Sequence, residues 1–219
     1  MIDHIFINGC SFNQINPKGN VNTFAGEIIA KHFNKQFTNL SRGGRGNYRI
    51  CTTTKMWYEK NENKSFAIIE WTSPFRRDYT TNDGWKPIKG FNTTWRTWST
   101  TSSISLAKDQ IGWDFDQEHS LFMLNSILDL QYYFKSNNIP YVMYHGLPGD
   151  IKLQYDDHKL LWNAVDKRHF YEPMKSQAEF VNENNLYVSK DDYHPNADGH
   201  QQWAAGVIKF IQRNRLFDV

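Results

Sequence analysis

The strongest constraint on this chain is an alternation. Short apolar runs ending in turn residues are each followed by a stretch with helical spacing. The run His4-Ile5-Phe6-Ile7 within residues 2–8 stops at Gly9, which predicts a buried first strand and a turn. Phe24, Ile28, Ile29 and Phe33 predict a helix over 23–33, and residues 37–40 a short strand that ends at Ser41-Arg42-Gly43-Gly44-Arg45-Gly46. A second helix is expected over 47–59 and a strand, Phe-Ala-Ile-Ile-Glu-Trp, over 66–71, closed by Thr72-Ser73-Pro74. Leu121, Leu124, Leu128 and Tyr132 mark an amphipathic helix that Asn137-Asn138-Ile139-Pro140 ends. A strand at 141–144, a largely helical region over 156–180, a short strand at 186–188 and a terminal helix from about Asn196 complete the pattern. Strands alternating with helices predict an α/β fold with a parallel sheet, and no repeat divides the chain, so one continuous domain over 1–219 is expected.

Composition narrows the function. Twenty-five basic against 23 acidic residues give a formal charge of +2, too small for a general polyanion binder, and no nucleic-acid partner is expected. No apolar run reaches the ~18 residues of a membrane span, and the N-terminus lacks the pattern of a signal peptide. The two cysteines, Cys10 and Cys51, make neither a disulfide framework nor a zinc cluster, so a reduced, cytoplasmic protein is expected. Residues 75–116 form an irregular insertion holding Trp85, Trp95, Trp98 and Trp113 among many polar residues. Aromatic faces there suit sugar rings or acyl chains, and Arg76, Arg77 and Arg96 suit a carboxylate or phosphate; packing of the insertion onto the domain explains the aromatics equally well.

Reactive groups in open α/β sheets gather just past the carboxyl ends of strands. Three such places carry Gly9-Cys10-Ser11-Phe12, Arg42-Gly43-Gly44 and Trp71-Thr72-Ser73, and a fourth, Asp191-Asp192-Tyr193-His194-Pro195, precedes the last helix. A serine becomes a nucleophile when a base takes its proton and an acceptor orients that base. On a turn, Asp191 and His194 have the spacing for a carboxylate–imidazole pair, and Ser11 would join them if the last helix packs beside the first strand. Taken singly, Ser11 also reads as a helix-capping serine and Asp191 to Pro195 as a helix start with a capping carboxylate.

Together these blocks resemble the GDSL-type, or SGNH, hydrolases. Gly9-Cys10-Ser11-Phe12 is similar to their first block, Asn39-Leu40-Ser41-Arg42-Gly43-Gly44 to their second, and Asp191 to Pro195 to their Asp-x-x-His-Pro block, followed by Asn196-Ala197-Asp198-Gly199-His200. The resemblance implies a three-layer α/β/α sandwich with a central parallel, flavodoxin-like sheet. It further implies a serine esterase with Ser11 as nucleophile, His194 as base and Asp191 as its orienter. The N–H groups of Ser11 and Gly44 would then form part of an oxyanion hole, and no metal or organic cofactor is implied. Esters are the implied substrates, O-acyl groups on a carbohydrate among them, with Trp71, Arg76 and Trp95 as candidate substrate-binding residues.

The sequence also departs from the family. Its third block, Gly-x-Asn-Asp, supplies a side-chain oxyanion donor, but here the strand ends Glu70-Trp71-Thr72-Ser73; Thr72, Ser73 or Asn47 would have to substitute. Cys10 stands where the first block has Asp and reads as a buried thiol or as a rival nucleophile. The competing function is a silent protein of the same fold that binds a carbohydrate or other ligand through its aromatic insertion. A metal site built from Asp191, His194 and His200 lacks a ligand motif, and His145 reads as a polar strand-end residue.

Overall fold

In the computed structural model, residues 2–16, 19–61, 64–76, 78–81, 84–87, 115–149, 151 and 153–217 are described. Four parallel strands hydrogen-bond in the order β2-β1-β3-β6: β1 His4–Asn8, β2 Gln36–Asn39, β3 Ser65–Trp71 and β6 Tyr141–His145. The register places Ile5 beside Phe37 and Phe66, and Ile68 beside Val142. Every residue of β3 is buried, as expected of a strand covered on both faces.

The two-residue period of the strands divides the core between the faces. Ile5, Ile7, Phe66, Ile68, Val142 and Tyr144 pack beneath α1 (Ala25–His32) and the terminal helix α6 (Ala197–Arg213), against Ile29, Trp203 and Val207. Phe6, Ala67, Ile69, Trp71, Tyr141 and Met143 face the other way, onto α2 (Asn47–Tyr58) and α3 (Phe115–Ser136), against Ile50, Leu124 and Phe134. These are the three layers of an α/β/α sandwich. Asn34, Asn138 and Asn185 follow helices at φ of 52°, 52° and 54°, the left-handed conformation that asparagine tolerates at a helix end.

The structure departs from the expected elements in three places. The region 156–180 is helical in α4 (Asp156–Ala164), in a 3₁₀ turn (Lys167–His169) and in the start of α5 (Gln177–Glu183), but its middle, 165–176, is no α-helix and instead completes the sheet edge. Met143 pairs with Phe170 and His145 with Ser176 in parallel bridges, and the N–H groups of Tyr171 and Ala178 donate to Met143 and Gly146 at 2.8 and 3.0 Å. An open β6 edge would leave those carbonyls unpaired, which outweighs local helix propensity. Second, the stretch expected to be irregular contains an antiparallel pair, β4 (Asp78–Thr81) with β5 (Gly84–Pro87); most of residues 75–116, with Arg77, Trp95 and Arg96, lies outside the described residues. Third, the segment before α6 is a hairpin of β7 (Tyr187–Ser189) with β8 (Asp192–Pro195) rather than a turn. Among the described residues no helix is long and apolar enough to cross a membrane.

Candidate active site

β1 lies between β2 and β3, so the chain leaves the sheet in opposite directions on its two sides, and the crevice past its carboxyl end is where α/β sheets hold ligands. Ser11 opens a single 3₁₀ turn there, Ser11–Asn13, closed by the Asn13 N–H donating to Cys10 O at 3.3 Å. Buried Asn13 ties the turn to its surroundings. Its Oδ1 accepts from Gly26 N–H at 3.0 Å, and its carbonyl accepts from Asn39 Nδ2 at 2.9 Å.

Ser11 Oγ lies 2.9 Å from His194 Nε2, and His194 Nδ1 lies 2.6 Å from Asp192 Oδ1. An ionised carboxylate only accepts, so Nδ1 carries the proton and Nε2 is left to accept from the serine hydroxyl. Burial works against the Asp192 charge, but hydrogen bonds from His194 and from Asn16 Nδ2, at 2.9 Å on Oδ2, hold its pKa below the ordinary carboxylate value.

The carboxylate on His194 is therefore that of Asp192, and the expected pairing with Asp191 is corrected. Asp191 is exposed and its N–H donates to Ser189 Oγ at 3.3 Å. Strand parity explains the difference. In β8, residues two apart share a face, as Asp192 and His194 do, whereas residues three apart point to opposite faces.

The glycine-rich loop reaches Ser11 through Gly43. A Cβ on Gly43 would stand 3.6 Å from Ser11 Cβ, and Gly44 follows at φ +76° with open space where a side chain would project. Gln14, not singled out in the sequence, holds this loop: Nε2 donates to Ser41 O at 2.8 Å and Oε1 accepts from Gly43 N–H at 2.9 Å.

The proposed side-chain oxyanion donors fare differently. Asn47 braces the end of β3, donating to Thr72 O and Ser73 O at 3.1 and 3.3 Å and accepting from Thr72 N–H at 2.9 Å. Thr72 is fully enclosed, its hydroxyl without a partner among the described residues, so it does not open onto a cleft. Ser73 is also buried, its Oγ accepting from Phe75 N–H at 3.4 Å.

Of the candidate substrate-binding residues, Trp71 is fully buried in the core against α2 and α3, a correction that follows from its odd position on β3. Arg76 lines a cavity of about 260 Å³ with Tyr48, Asp78 and Phe122. Trp95 lies outside the described residues. Cys10 is fully buried and its thiol is pushed up to about 12, mainly by burial, so it is a thiol rather than a rival nucleophile. His200 is held neutral, lowered to about 4 by burial and the nearby His194, and its Nδ1 accepts from Ala25 N–H at the start of α1. Asn16, Gln14 and Asp192 are the site residues that sequence reasoning missed; a two-residue period across Asp192 to Pro195 was the one signal for the last.

No protein-family model and no curated protein matches the sequence. Solved structures do. The esterase EstA from Pseudoalteromonas sp., in a structure inhibited by monoethylphosphonate, is similar at a TM-score of 0.55 and 11% identity, covering 96% of this chain and 97% of that one. TesA gives 0.55 at 9% identity over 97% and 99%. A member of the lipolytic G-D-S-L family from Veillonella parvula gives 0.50 at 12% identity over 96% and 98%. At these identities the likeness concerns the backbone, and its extent covers nearly all of both chains. The chain has the fold of the G-D-S-L, or SGNH, hydrolases.

Proposed function

We propose that the protein is a serine esterase in which Ser11 is the nucleophile, His194 the general base and Asp192 the residue that orients it. The observation that carries this reading is the unbroken hydrogen-bond chain from Ser11 Oγ through His194 to Asp192 and on to Asn16. Ser11 Oγ attacks the ester carbonyl carbon while its proton passes to His194 Nε2, and the imidazolium is stabilised by the Asp192 carboxylate. The tetrahedral oxyanion is held by the N–H groups of Ser11 and Gly44. Its collapse breaks the C–O bond, the leaving alcohol takes the proton from His194, and an acyl-serine remains. Water, deprotonated by the same Nε2, then attacks the acyl carbon, releasing the acid and returning the proton to Ser11.

Asn47 is committed to the β3 terminus and Thr72 is enclosed, which favours a slower enzyme or, as a second reading, a silent binder of the same fold. One missing oxyanion donor costs about 10²–10³ in rate. Covalent labelling by a fluorophosphonate tests both readings. Labelling of the native chain and of Cys10→Ala, lost in Ser11→Ala, supports the esterase, and p-nitrophenyl esters of acetyl and longer acyl groups then define the acyl preference. Folded native protein that resists the probe and hydrolyses none of these esters would leave the silent binder.

A further inference from the structure

Beneath the nucleophile turn is a carboxyl group that the acyl-transfer chemistry does not use. Glu70 continues the Phe66–Ile68 face of β3 and is fully buried. Its Oε1 accepts twice from one residue: from Cys10 N–H at 3.1 Å and from the Cys10 thiol at 2.7 Å. Oε2 has no partner among the described residues, and neither has the buried hydroxyl of Tyr144, its neighbour in register on β6.

The surroundings are shaped to admit this side chain. A Cβ on Gly9 would come within 2.6 Å of Glu70 Cβ, and one on Gly146 within 2.6 Å of Glu70 Oε1. Both flanking strand ends therefore carry glycine where Glu70 approaches. For stability alone the arrangement is a poor choice. Enclosing a carboxyl without an ion pair is unfavourable, and an apolar side chain of similar volume would pack there at less cost. Burial above all raises the group to about 7.

What the two bonds do fix is the backbone just before the nucleophile. Cys10 caps the 3₁₀ turn with φ −103° and ψ −157°, its carbonyl accepts from Asn13 N–H, and the next peptide carries the Ser11 N–H. We infer that Glu70 is a positioning residue: by accepting from the N–H and S–H of Cys10 it sets the Cys10–Ser11 peptide, aiming Ser11 Oγ at His194 and the Ser11 N–H at the oxyanion. The inference rests on the esterase reading above. It also explains why the first block here is Gly-Cys-Ser: a thiol is a small donor that a buried carboxyl can accept from, and an Asp in its place would set two carboxyl groups against each other.

The test compares Glu70→Leu, Glu70→Gln and Glu70→Asp with the native protein, using p-nitrophenyl acetate turnover and the rate of fluorophosphonate labelling, with a thermal melt as the check on folding. Glu70→Leu keeps bulk but has no acceptor, and is expected to lower kcat and labelling about ten- to a hundredfold, the scale of an ångström-level misplacement, with KM nearly unchanged. Glu70→Gln presents the same acceptor and should restore native rates. Glu70→Asp withdraws the acceptor by one methylene and should be impaired like Glu70→Leu, which keeps the test decisive if the leucine variant does not fold. Native kcat in folded Glu70→Leu or in Glu70→Asp, or a Glu70→Gln variant as impaired as Glu70→Leu, would overturn the inference. Failure of the native protein itself to label would instead overturn the esterase reading on which it rests.

Discussion

Replacing Asp192 by Asn separates two adjacent carboxylates that a sequence motif cannot tell apart. Asp192 Oδ1 is 2.6 Å from His194 Nδ1, so when the ring becomes imidazolium the two charge centres are about 4 Å apart, worth ~4 kcal/mol at an effective dielectric of ~20. The side chains of His194 and Asp192 are 37% and 32% exposed, and that degree of solvent contact reduces the attraction to about 2–3 kcal/mol, or roughly 30- to 160-fold in rate. An amide introduces a second effect. Its NH₂ would face Nδ1 and favour the tautomer with the proton on Nε2, which cannot accept from Ser11, a change that lowers kcat about 10⁴-fold in a comparable triad. Asp192→Asn is therefore expected to lower kcat for p-nitrophenyl acetate by about 10²–10⁴ with KM nearly unchanged. Asp191→Asn should stay within about threefold of native, since it alters an exposed residue. A larger loss in Asp191→Asn than in Asp192→Asn would refute the strand-parity argument. Native kcat in Asp192→Asn would refute the triad itself.

Gln14→Ala removes both side-chain bonds to the Ser41–Gly43 loop and should lower kcat about tenfold or more while the melting temperature moves little. His145 and His200 are lowered by burial from 6.5 to about 3 and about 4, so the unfolded chain binds more protons below pH 6.5; stability is lost as pH falls through that window, by up to ~2 kcal/mol per group at pH 5, read from urea denaturation. Glu70 acts with the opposite sign. Raised from 4.5 to about 7, it binds its proton more tightly in the folded chain, so its contribution declines as pH rises from 4.5 to 7 by up to ~3 kcal/mol. The difference in urea stability between native protein and Glu70→Gln should drift in that direction across the window; a constant difference would contradict it.

How much of this was legible in the sequence depended on how local the signal was. The β1, β3 and β6 runs are buried on both faces, so unbroken apolar stretches such as Phe-Ala-Ile-Ile announced them, and Asn137-Asn138-Ile139-Pro140 marked the end of α3. The segment 165–176, inside a region expected to be largely helical, departs from an α-helix because its conformation follows from the edge of β6, a partner distant in sequence. The juxtaposition of Ser11 and His194 was legible because the chemistry of the two side chains names them as partners. The carboxylate beside His194 is one residue away from the expected Asp191, because Asp191 and Asp192 are both available and only the hairpin decides which faces the ring. Gln14, Asn16 and Glu70 act on residues 27, 176 and 60 positions away, and no local pattern carries such pairings.

The same geometry bears on whether the fold is a catalyst or a silent scaffold. Part-buried hydrogen bonds of the Ser11–His194–Asp192 kind contribute about 1 kcal/mol each to stability, so a scaffold gains little by keeping three polar side chains in line at the mouth of its sheet. Around them, Asn16 occupies the second oxygen of Asp192, Asn13 pins the Ser11 turn to α1 and β2, and Gln14 pins the glycine loop. Each of these restrains orientation rather than adding buried apolar area, and restraint of orientation is what a transition state requires and a binding surface does not. In the proposed esterase, the enclosed Thr72 and the committed Asn47 would leave the oxyanion one donor short while that restraint stays intact. The expected result is a serine that phosphonylates readily and turns over esters slowly, because labelling depends chiefly on the activated nucleophile, while turnover depends also on how well the oxyanion is held.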